Sequence, residues 1–316
     1  MIYRVKDTNM DWIYEKGIQR GTSIGFHCLE DIFSIKKGYP LFVLAAPTAG
    51  KTEFVFEMLI NLSRFYGWKH CIYSPETGSP KEVYAELAAK YIGQDYMNTY
   101  NNQMDFNQKL LAEKWLEEHF VIIDAGERVT IEDHLSLIDS AEHDLGIKFD
   151  TTLIDPWNKV KHEKKGRRDD EYLEDILNEI VLNSKQNNRV NIITTHCRDQ
   201  QLAKTKDGKF YYPPPTARDF AGGQVWFRMG FMMLGLWRPA AGMMDEDGRP
   251  YEANVLRIEV QKAKPNGVAI AGKYQRTAHL YYSPKHHKYY EYYGTSTRWA
   301  AKIREEIKQE SAQVVI

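Results

Sequence analysis

Short apolar runs alternate with amphipathic stretches along the first two-thirds of the chain. The runs predict buried strands over residues 41–46, 70–74, 121–124, 151–155 and 189–195. Apolar residues three and four positions apart predict helices over residues 53–65, 80–91, 109–118, 131–145 and 172–184, after a short helix over 7–19. This alternation is typical of a mostly parallel sheet with helices on both faces, so we predict an α/β fold.

The last third of the chain has a different pattern. Strands are predicted over 229–236, 255–261, 268–274 and 279–282, with residues 285–293 completing a hairpin. We expect these strands to extend one edge of the sheet in an antiparallel way, and we expect a charged helix over 298–310. The predicted organisation is an N-terminal linker (1–20), one α/β domain (21–297) and a C-terminal helix or tail (298–316).

Composition narrows the class of protein. The chain has 316 residues, 43% of them hydrophobic, and 42 Lys and Arg against 43 Asp and Glu. This is enough apolar material for one large domain, and the net charge of −1 gives no indication of a nucleic-acid partner. The three cysteines have no paired spacing, and the longest apolar run, 229–237, is far shorter than the roughly 20 residues that span a bilayer. We expect a cytoplasmic protein without a membrane segment.

A phosphate-binding loop follows the first predicted strand and precedes a helix. In such a loop, backbone N–H groups and the helix N-terminus surround a phosphate, a lysine binds the β- and γ-phosphates, and a hydroxyl binds Mg²⁺. The motif has alanine in place of its usual first glycine. Its residues are Ala45, Ala46, Pro47, Thr48, Ala49, Gly50, Lys51 and Thr52. We therefore predict ATP and Mg²⁺ as ligands, with Thr52 on the metal.

Three further side chains follow predicted strands. Asp124 and Asp155 are the two candidates for a Walker-B acid on Mg²⁺, and Asp155 is favoured because a basic loop follows it. Glu76 follows the strand over 70–74 and is predicted to activate the attacking water, although a solvated loop acid is the alternative. His196 could hydrogen-bond the γ-phosphate or be an ordinary polar strand-end residue.

These motifs, in this order, resemble the DnaB/Twinkle-like replicative DNA helicases, which have a RecA-like P-loop ATPase core. The similarity is closest to phage and bacterial Twinkle-like proteins and runs over about residues 20–275. Its segments are Gly25-Phe26 with Leu29-Glu30-Asp31 and Gly38, the P-loop, Tyr73–Glu76, Leu153–Asn158 with Glu171-Tyr172-Leu173, Thr194–His196, and Pro215-Thr216 with Asp219–Gly223 and Trp226.

The resemblance implies an ATP-dependent DNA helicase that forms a ring, typically a hexamer, around single-stranded DNA and moves 5′→3′. It implies that His196 senses the γ-phosphate and that a separate primase or loader can be a partner. Where the family carries an arginine that reaches the neighbouring subunit's nucleotide, this chain has Lys262 and Lys264. Lysine lacks the planar fork of arginine, and Arg238, Arg257 and Arg276 are the alternatives.

Two polar loops are predicted to bind DNA. The first spans 159–168, where six basic residues and one acid give a local charge of +5. The second spans 198–220 and combines lysines with Tyr211 and Tyr212. Basic side chains can track phosphates and aromatic rings can stack on bases, although a charged loop can also be simply solvated. The predicted DNA-binding residues are Lys161, Lys164, Lys165, Arg167, Arg168, Lys204, Lys206 and Lys209.

Two other functions fit the same motifs. A RecA-like recombination or repair ATPase would bind DNA in filaments without unwinding it. A nucleotide-gated adaptor would bind ATP without turnover, but the presence of Glu76 together with Lys51 and Asp155 argues against that function.

Overall fold

The structure is a computed structural model, and it describes residues 2–126, 128–198, 201–205, 208, 210–220, 222–240, 242–245, 248–269, 276–293 and 296–300. Its strands are β1 (Leu41–Ala45), β2 (His70–Tyr73), β3 (Phe120–Ile122), β4 (Thr151–Ile154), β5 (Val190–His196), β6 (Ala203–Lys204), β7 (Phe210–Tyr211), β8 (Met232–Trp237), β9 (Val255–Ala263), β10 (Thr277–Ser283), β11 (Lys288–Tyr293) and β12 (Ser296–Trp299). Its helices are α1 (Met10–Lys16), α2 (Lys51–Tyr66), α3 (Pro80–Ile92), α4 (Phe106–His119), α5 (Ile131–Leu145), α6 (Asp169–Gln186) and α7 (Gln224–Met229).

Ten strands form one sheet in the order β12-β11-β10-β9-β8-β1-β5-β4-β2-β3. The six strands from β8 to β3 are parallel, and β9, β10, β11 and β12 continue the sheet antiparallel from its β8 edge. The prediction of a parallel sheet with antiparallel strands added at one edge is confirmed. This arrangement is a RecA-like ATPase fold, in which β1 occupies a central position with a parallel neighbour on each side.

The two faces of the sheet are covered by different helices. Leu41 and Val43 of β1 pack into a core with α2, α3 and α4, while Phe42 and Leu44 pack into a second core with α6 and α7. Alternate residues of a strand point to opposite faces, so β1 is buried on both sides. All five of its residues are buried, which explains why its sequence is a continuous apolar run rather than an alternating one.

Three predicted elements of the last third of the chain differ from the structure. The strand predicted over 229–236 begins only at Met232, because Met229 ends helix α7, whose turn the sequence pattern did not indicate. The helix predicted over 298–310 does not begin at Arg298, since Arg298 and Trp299 pair with β11 in β12; residues 301–310 lie outside the described residues. Val268 and Ala269 are not in a strand, and residues 270–274 of that predicted strand also lie outside the described residues.

The N-terminal helix is shorter than predicted and buries no residue. It spans Met10–Lys16 rather than 7–19, and Asn9 caps it by accepting a hydrogen bond from the backbone of Trp12. The apolar residues Trp12, Ile13 and Ile18 of the predicted range are all exposed. Within the described part of the chain, no helix is both long enough and apolar enough to cross a membrane.

Candidate nucleotide-binding site

The predicted phosphate-binding loop connects β1 to α2, at the carboxyl edge of the sheet. Ala45 ends β1 between its neighbours His196 of β5 and Leu236 of β8. Gly50 is the N-cap of α2 and has a φ of 91°, a conformation that favours glycine. A Cβ atom at Gly50 would lie 3.3 Å from Nη2 of Arg238. The sequence therefore forms the strand–loop–helix that a phosphate-binding loop requires, and the glycine stands where a side chain would be crowded.

The two predicted metal ligands are in contact. The Thr52 hydroxyl donates a 2.7 Å hydrogen bond to Oδ2 of Asp155. Thr194 donates to the other carboxylate oxygen, and Ser74 donates to Oδ2 at 3.3 Å. Asp155 is 2% exposed, and these three hydroxyl donors satisfy the buried charge and hold the carboxylate facing the first turn of α2.

Lys51, His196 and Glu76 form a connected row of side chains beside this pair. Lys51 Nζ lies 3.0 Å from Nδ1 of His196, and Nε2 of the same ring lies 3.3 Å from Oε2 of Glu76. An ammonium can only donate, so Nδ1 accepts and Nε2–H donates to the carboxylate. The three side chains predicted to act on the terminal phosphate and the attacking water are thus brought together from three strand ends.

The electrostatics of this row follow from burial. Desolvation lowers the pKa of the Lys51 ammonium, against the opposing charges of Asp155 and Glu76. Desolvation and the nearby Lys51 charge also lower the pKa of His196, although Glu76 opposes this shift. His196 is consequently neutral at neutral pH, in agreement with its role as acceptor from Lys51.

Asp124, the other candidate for the Walker-B acid, lies after β3 at the far edge of the sheet. Two strands, β2 and β4, separate β3 from β5, and β1 lies beyond β5. Its carboxylate accepts a 3.1 Å hydrogen bond from the backbone of Gly126, as in a turn at the end of a strand. The contact with Thr52 is made by Asp155 instead.

The residues present fit ATP and Mg²⁺. Among the described residues, no group of three or more His, Cys, Asp or Glu side chains could hold a metal ion. Mg²⁺ does not need such a cage, because it is usually bound through one or two oxygen ligands, substrate phosphates and water. The adjacent hydroxyl of Thr52 and carboxylate of Asp155 are such oxygen ligands, and the helix N-terminus at Gly50 suits a phosphate.

The predicted trans-acting lysines lie at the other end of the strands from the P-loop. Lys262 of β9 pairs with Met233 near the start of β8, whereas the P-loop is next to the end of β8. Lys262 Nζ donates to the backbone carbonyl of Phe227, and Lys264 lies 5.3 Å from the centroid of the Phe231 ring. Neither lysine is therefore near the P-loop of its own chain. Arg238, by contrast, follows β8 and lies beside Gly50 in the same chain.

Most of the positive charge of the first basic loop is neutralised by ion pairs with nearby acids. Four of its cations form ion pairs within the loop or with the start of α6: Lys161 with Glu163, Lys164 with Asp169, Arg167 with Asp175, and Arg168 with Asp170. Residues 159–175 contain six basic and six acidic residues, so the +5 of residues 159–168 is balanced by the acids that follow. Lys165 is exposed and forms no ion pair with the described residues.

The second predicted DNA-binding loop returns close to its starting point. Cys197 forms an isolated bridge with Phe220, and Arg198 donates from its backbone to Asp219. Between them, β6 and β7 form a small hairpin in which Lys204 lies 5.4 Å from the ring centroid of Phe210. Lys206 and Lys209 lie outside the described residues.

Sequence reasoning missed one residue of the site. Asn158 accepts hydrogen bonds at Oδ1 from the backbone N–H of His196 and from the hydroxyl of Thr195, both at 3.2 Å. Its place three residues after Asp155, at the carboxyl edge, was the only available signal, because the strands that bring it next to His196 are distant in sequence. Arg238 was considered only as a residue acting on a neighbouring subunit.

Comparison with known proteins supports the resemblance. No protein-family model matches the chain. A Twinkle homolog protein, chloroplastic/mitochondrial, of Arabidopsis thaliana is 27% identical over 180 residues, which are 54% of this chain and 25% of that protein. The match thus spans about a quarter of the relative's length.

Two solved structures share the fold. A DnaB-like replicative helicase, determined together with its interactions with primase, aligns with a TM-score of 0.65 and 15% identity over 89% of this chain and 64% of its own. The ATPase domain of G40P aligns with a TM-score of 0.64 and 15% identity over 89% of this chain and 94% of its own. The chain is thus similar in sequence to part of a Twinkle homologue, and it shares its fold with a DnaB-like replicative helicase and with the ATPase domain of G40P.

Proposed function

We propose that the protein is an ATP-dependent DNA helicase that moves on single-stranded DNA. The observation that carries this proposal is the arrangement at the carboxyl edge of the sheet. Thr52 and Asp155 form one pair there, and the Lys51–His196–Glu76 row lies beside it. The sequence similarity to a Twinkle homologue supports the choice of a helicase among RecA-like ATPases.

Each residue has a role in this mechanism. Lys51 binds the β- and γ-phosphates, and Thr52 and Asp155 hold Mg²⁺, which supplies positive charge to the phosphates when it is bound. Glu76 orients and deprotonates the attacking water, and its contact with Nε2 of His196 orients the carboxylate. His196 contacts the γ-phosphate and responds to its loss.

We also propose that the active form is a ring of identical subunits, typically a hexamer. Lys262 and Lys264 lie at the other end of the strands from the chain's own P-loop. In this proposal they therefore contact the nucleotide of a neighbouring subunit. In the same proposal the basic loops 159–168 and 198–220 contact single-stranded DNA, and a separate primase or loader is a partner. The related helicase structure that was determined with primase supports that last point.

The test is ATP hydrolysis and strand separation measured together. Single-stranded DNA is expected to stimulate ATP hydrolysis, and a forked duplex is expected to be unwound only with hydrolysable ATP. If DNA stimulated ATP hydrolysis without being unwound, and electron microscopy showed filaments, the result would instead favour the RecA-like recombination or repair ATPase. ATP binding without turnover would favour the nucleotide-gated adaptor.

A further inference from the structure

Beside His196, a side-chain oxygen accepts hydrogen bonds at a point that β4 is too short to reach. The pairing of β4 with β5 ends at Ile154 and Ile193, so the last residues of β5 extend beyond the end of β4. The backbone N–H of His196 donates there to Oδ1 of Asn158, and the hydroxyl of Thr195 donates to the same oxygen. The Asn158 side chain thus gives this N–H a hydrogen-bond partner at a point that the backbone of β4 does not reach.

Asn158 belongs to the segment that begins the first basic loop. It is the middle residue of the 3₁₀ turn Trp157–Lys159, which is closed by a hydrogen bond from Val160 N–H to the Trp157 carbonyl. Trp157 is 5% exposed and packs edge-on against Trp226 at a centroid distance of 5.1 Å. The turn is thus anchored on the core side, and its last residue, Lys159, is the first residue of the loop 159–168.

The residue that Asn158 contacts is His196, the candidate phosphate sensor. The side chain of His196 contacts Lys51 and Glu76, while its backbone contacts Asn158. Movement of the His196 backbone toward or away from a phosphate therefore changes the geometry of its hydrogen bond to Asn158, and the preceding residue, Thr195, carries the second bond. One amide oxygen joins the nucleotide site to the start of the loop proposed to contact DNA.

We propose that Asn158 is a positioning residue that couples the nucleotide site to the basic loop 159–168. It acts through His196 and the 3₁₀ turn, and it touches neither nucleotide nor DNA. This inference rests on the proposed function, because it assumes that DNA bound at the loop alters ATP turnover. Coupling free energies between sites typically correspond to about 5- to 150-fold effects, so loss of two bonds at the link is expected to remove most of the stimulation.

The test compares three variants at the link with a control. Asn158→Ala removes the acceptor, Asn158→Asp keeps an oxygen at Oδ1, and Thr195→Val removes one of the two donors with little change in shape. Asn107→Ala, on the exposed face of α4, is the matched control. The readout is the ratio of ATP hydrolysis rates with and without single-stranded DNA, together with DNA affinity at saturating ATP analogue.

Asn158→Ala is expected to lower the stimulation ratio about tenfold. Thr195→Val is expected to lower it partially, and Asn158→Asp and Asn107→Ala are expected to keep it. A full stimulation ratio in both Asn158→Ala and Thr195→Val would overturn the coupling role while leaving the helicase proposal intact. A stimulation ratio for Asn158→Asp no higher than that for Asn158→Ala would overturn the role of Asn158 as an acceptor. If the unmodified protein showed no stimulation by DNA, the proposed function and the coupling would both be wrong.

Discussion

Lys51 Nζ lies 3.0 Å from Nδ1 of His196, which joins the P-loop to the end of the neighbouring strand β5. Lys51 is 7% exposed, and its pKa is lowered by burial. A lysine in this position carries its positive charge into a site with little water, where its attraction to phosphate is stronger than at the surface. The same burial orients the ammonium toward the region that Thr52 and Asp155 also face.

Lys51→Ala is expected to lower ATP hydrolysis by at least about 100-fold, because it removes a charge that stabilises the transferring phosphoryl group. Steady-state phosphate release measures the effect. Lys81→Ala, on the exposed side of α3, is the control and is expected to hydrolyse ATP at the normal rate. Equal rates for Lys51→Ala and the unmodified protein would exclude Lys51 from catalysis.

Glu76→Gln is expected to lower kcat for ATP hydrolysis by about 10²- to 10⁴-fold, the usual contribution of a general base. Nucleotide binding is expected to persist, because Glu76 faces His196 rather than Lys51 or Thr52. Binding of a fluorescent ATP analogue and single-turnover hydrolysis separate the two effects, with Glu118→Gln on α4 as control. Unchanged turnover in Glu76→Gln would assign water activation to another group.

A histidine away from the site makes the stability of the fold depend on pH. His134 is fully buried, neither of its ring nitrogens has a hydrogen-bond partner among the residues that the structure describes, and burial lowers its pKa to about 3. Between about pH 3 and the ordinary value near 6.5, the unfolded chain binds a proton here that the folded protein does not, so stability rises with pH in that window. Below pH 6.5, His134 therefore favours unfolding increasingly as acid is added.

His134→Phe is expected to reduce the slope of the unfolding free energy against pH by about 1.4 kcal/mol per pH unit between pH 4 and 6. Phenylalanine keeps a ring next to Tyr73, whose centroid lies 5.5 Å from that of His134. Urea unfolding at several pH values measures the slope, and His143→Phe at an exposed position is the control. Identical slopes in the His134 variant and the unmodified protein would contradict the argument.

The first basic loop allows a measurement of phosphate contacts. Lys165 is the clearest candidate, because it is exposed and forms no ion pair within the described part of the chain. Lys165→Ala is expected to lower the slope of log affinity for single-stranded DNA against log salt by about 0.7, the value for one phosphate contact. Fluorescence anisotropy at several salt concentrations measures it. Lys114→Ala, on the exposed side of α4, should leave the slope unaltered, and an unaltered slope in Lys165→Ala would remove that residue from the DNA interface.

Local sequence patterns predicted most of the parallel half of the sheet. The α5 boundaries, Ile131 and Leu145, agree with the sequence, because Thr130 caps its start with Asp133 and Gly146 ends it in a left-handed conformation. The strand predicted over 41–46 ends at Ala45 and the helix predicted over 53–65 begins at Lys51, so both boundaries around the phosphate-binding motif were predicted to within two residues. Elements of this kind carry their own boundary signals.

Contacts between distant segments could not be predicted in the same way. Asn158 meets His196 only because β4 ends before β5 does, which depends on strand register. The loop 159–168 is a different case, because its charge was counted only to Arg168, while the ion-pair partners Asp169 and Asp175 follow directly in the next helix. The helix predicted over 298–310 was started at Arg298 and Trp299, which the pairing with β11 places in β12 instead.

The most direct test of the central claim is unwinding of a forked DNA duplex by the purified protein, followed by fluorescence with ATP and Mg²⁺ present. The account predicts strand separation that requires hydrolysable ATP, is lost in Lys51→Ala, and is accompanied by ATP hydrolysis that single-stranded DNA accelerates. ATP hydrolysis at one unchanged rate with and without DNA, and with no strand separation on any fork, would contradict it.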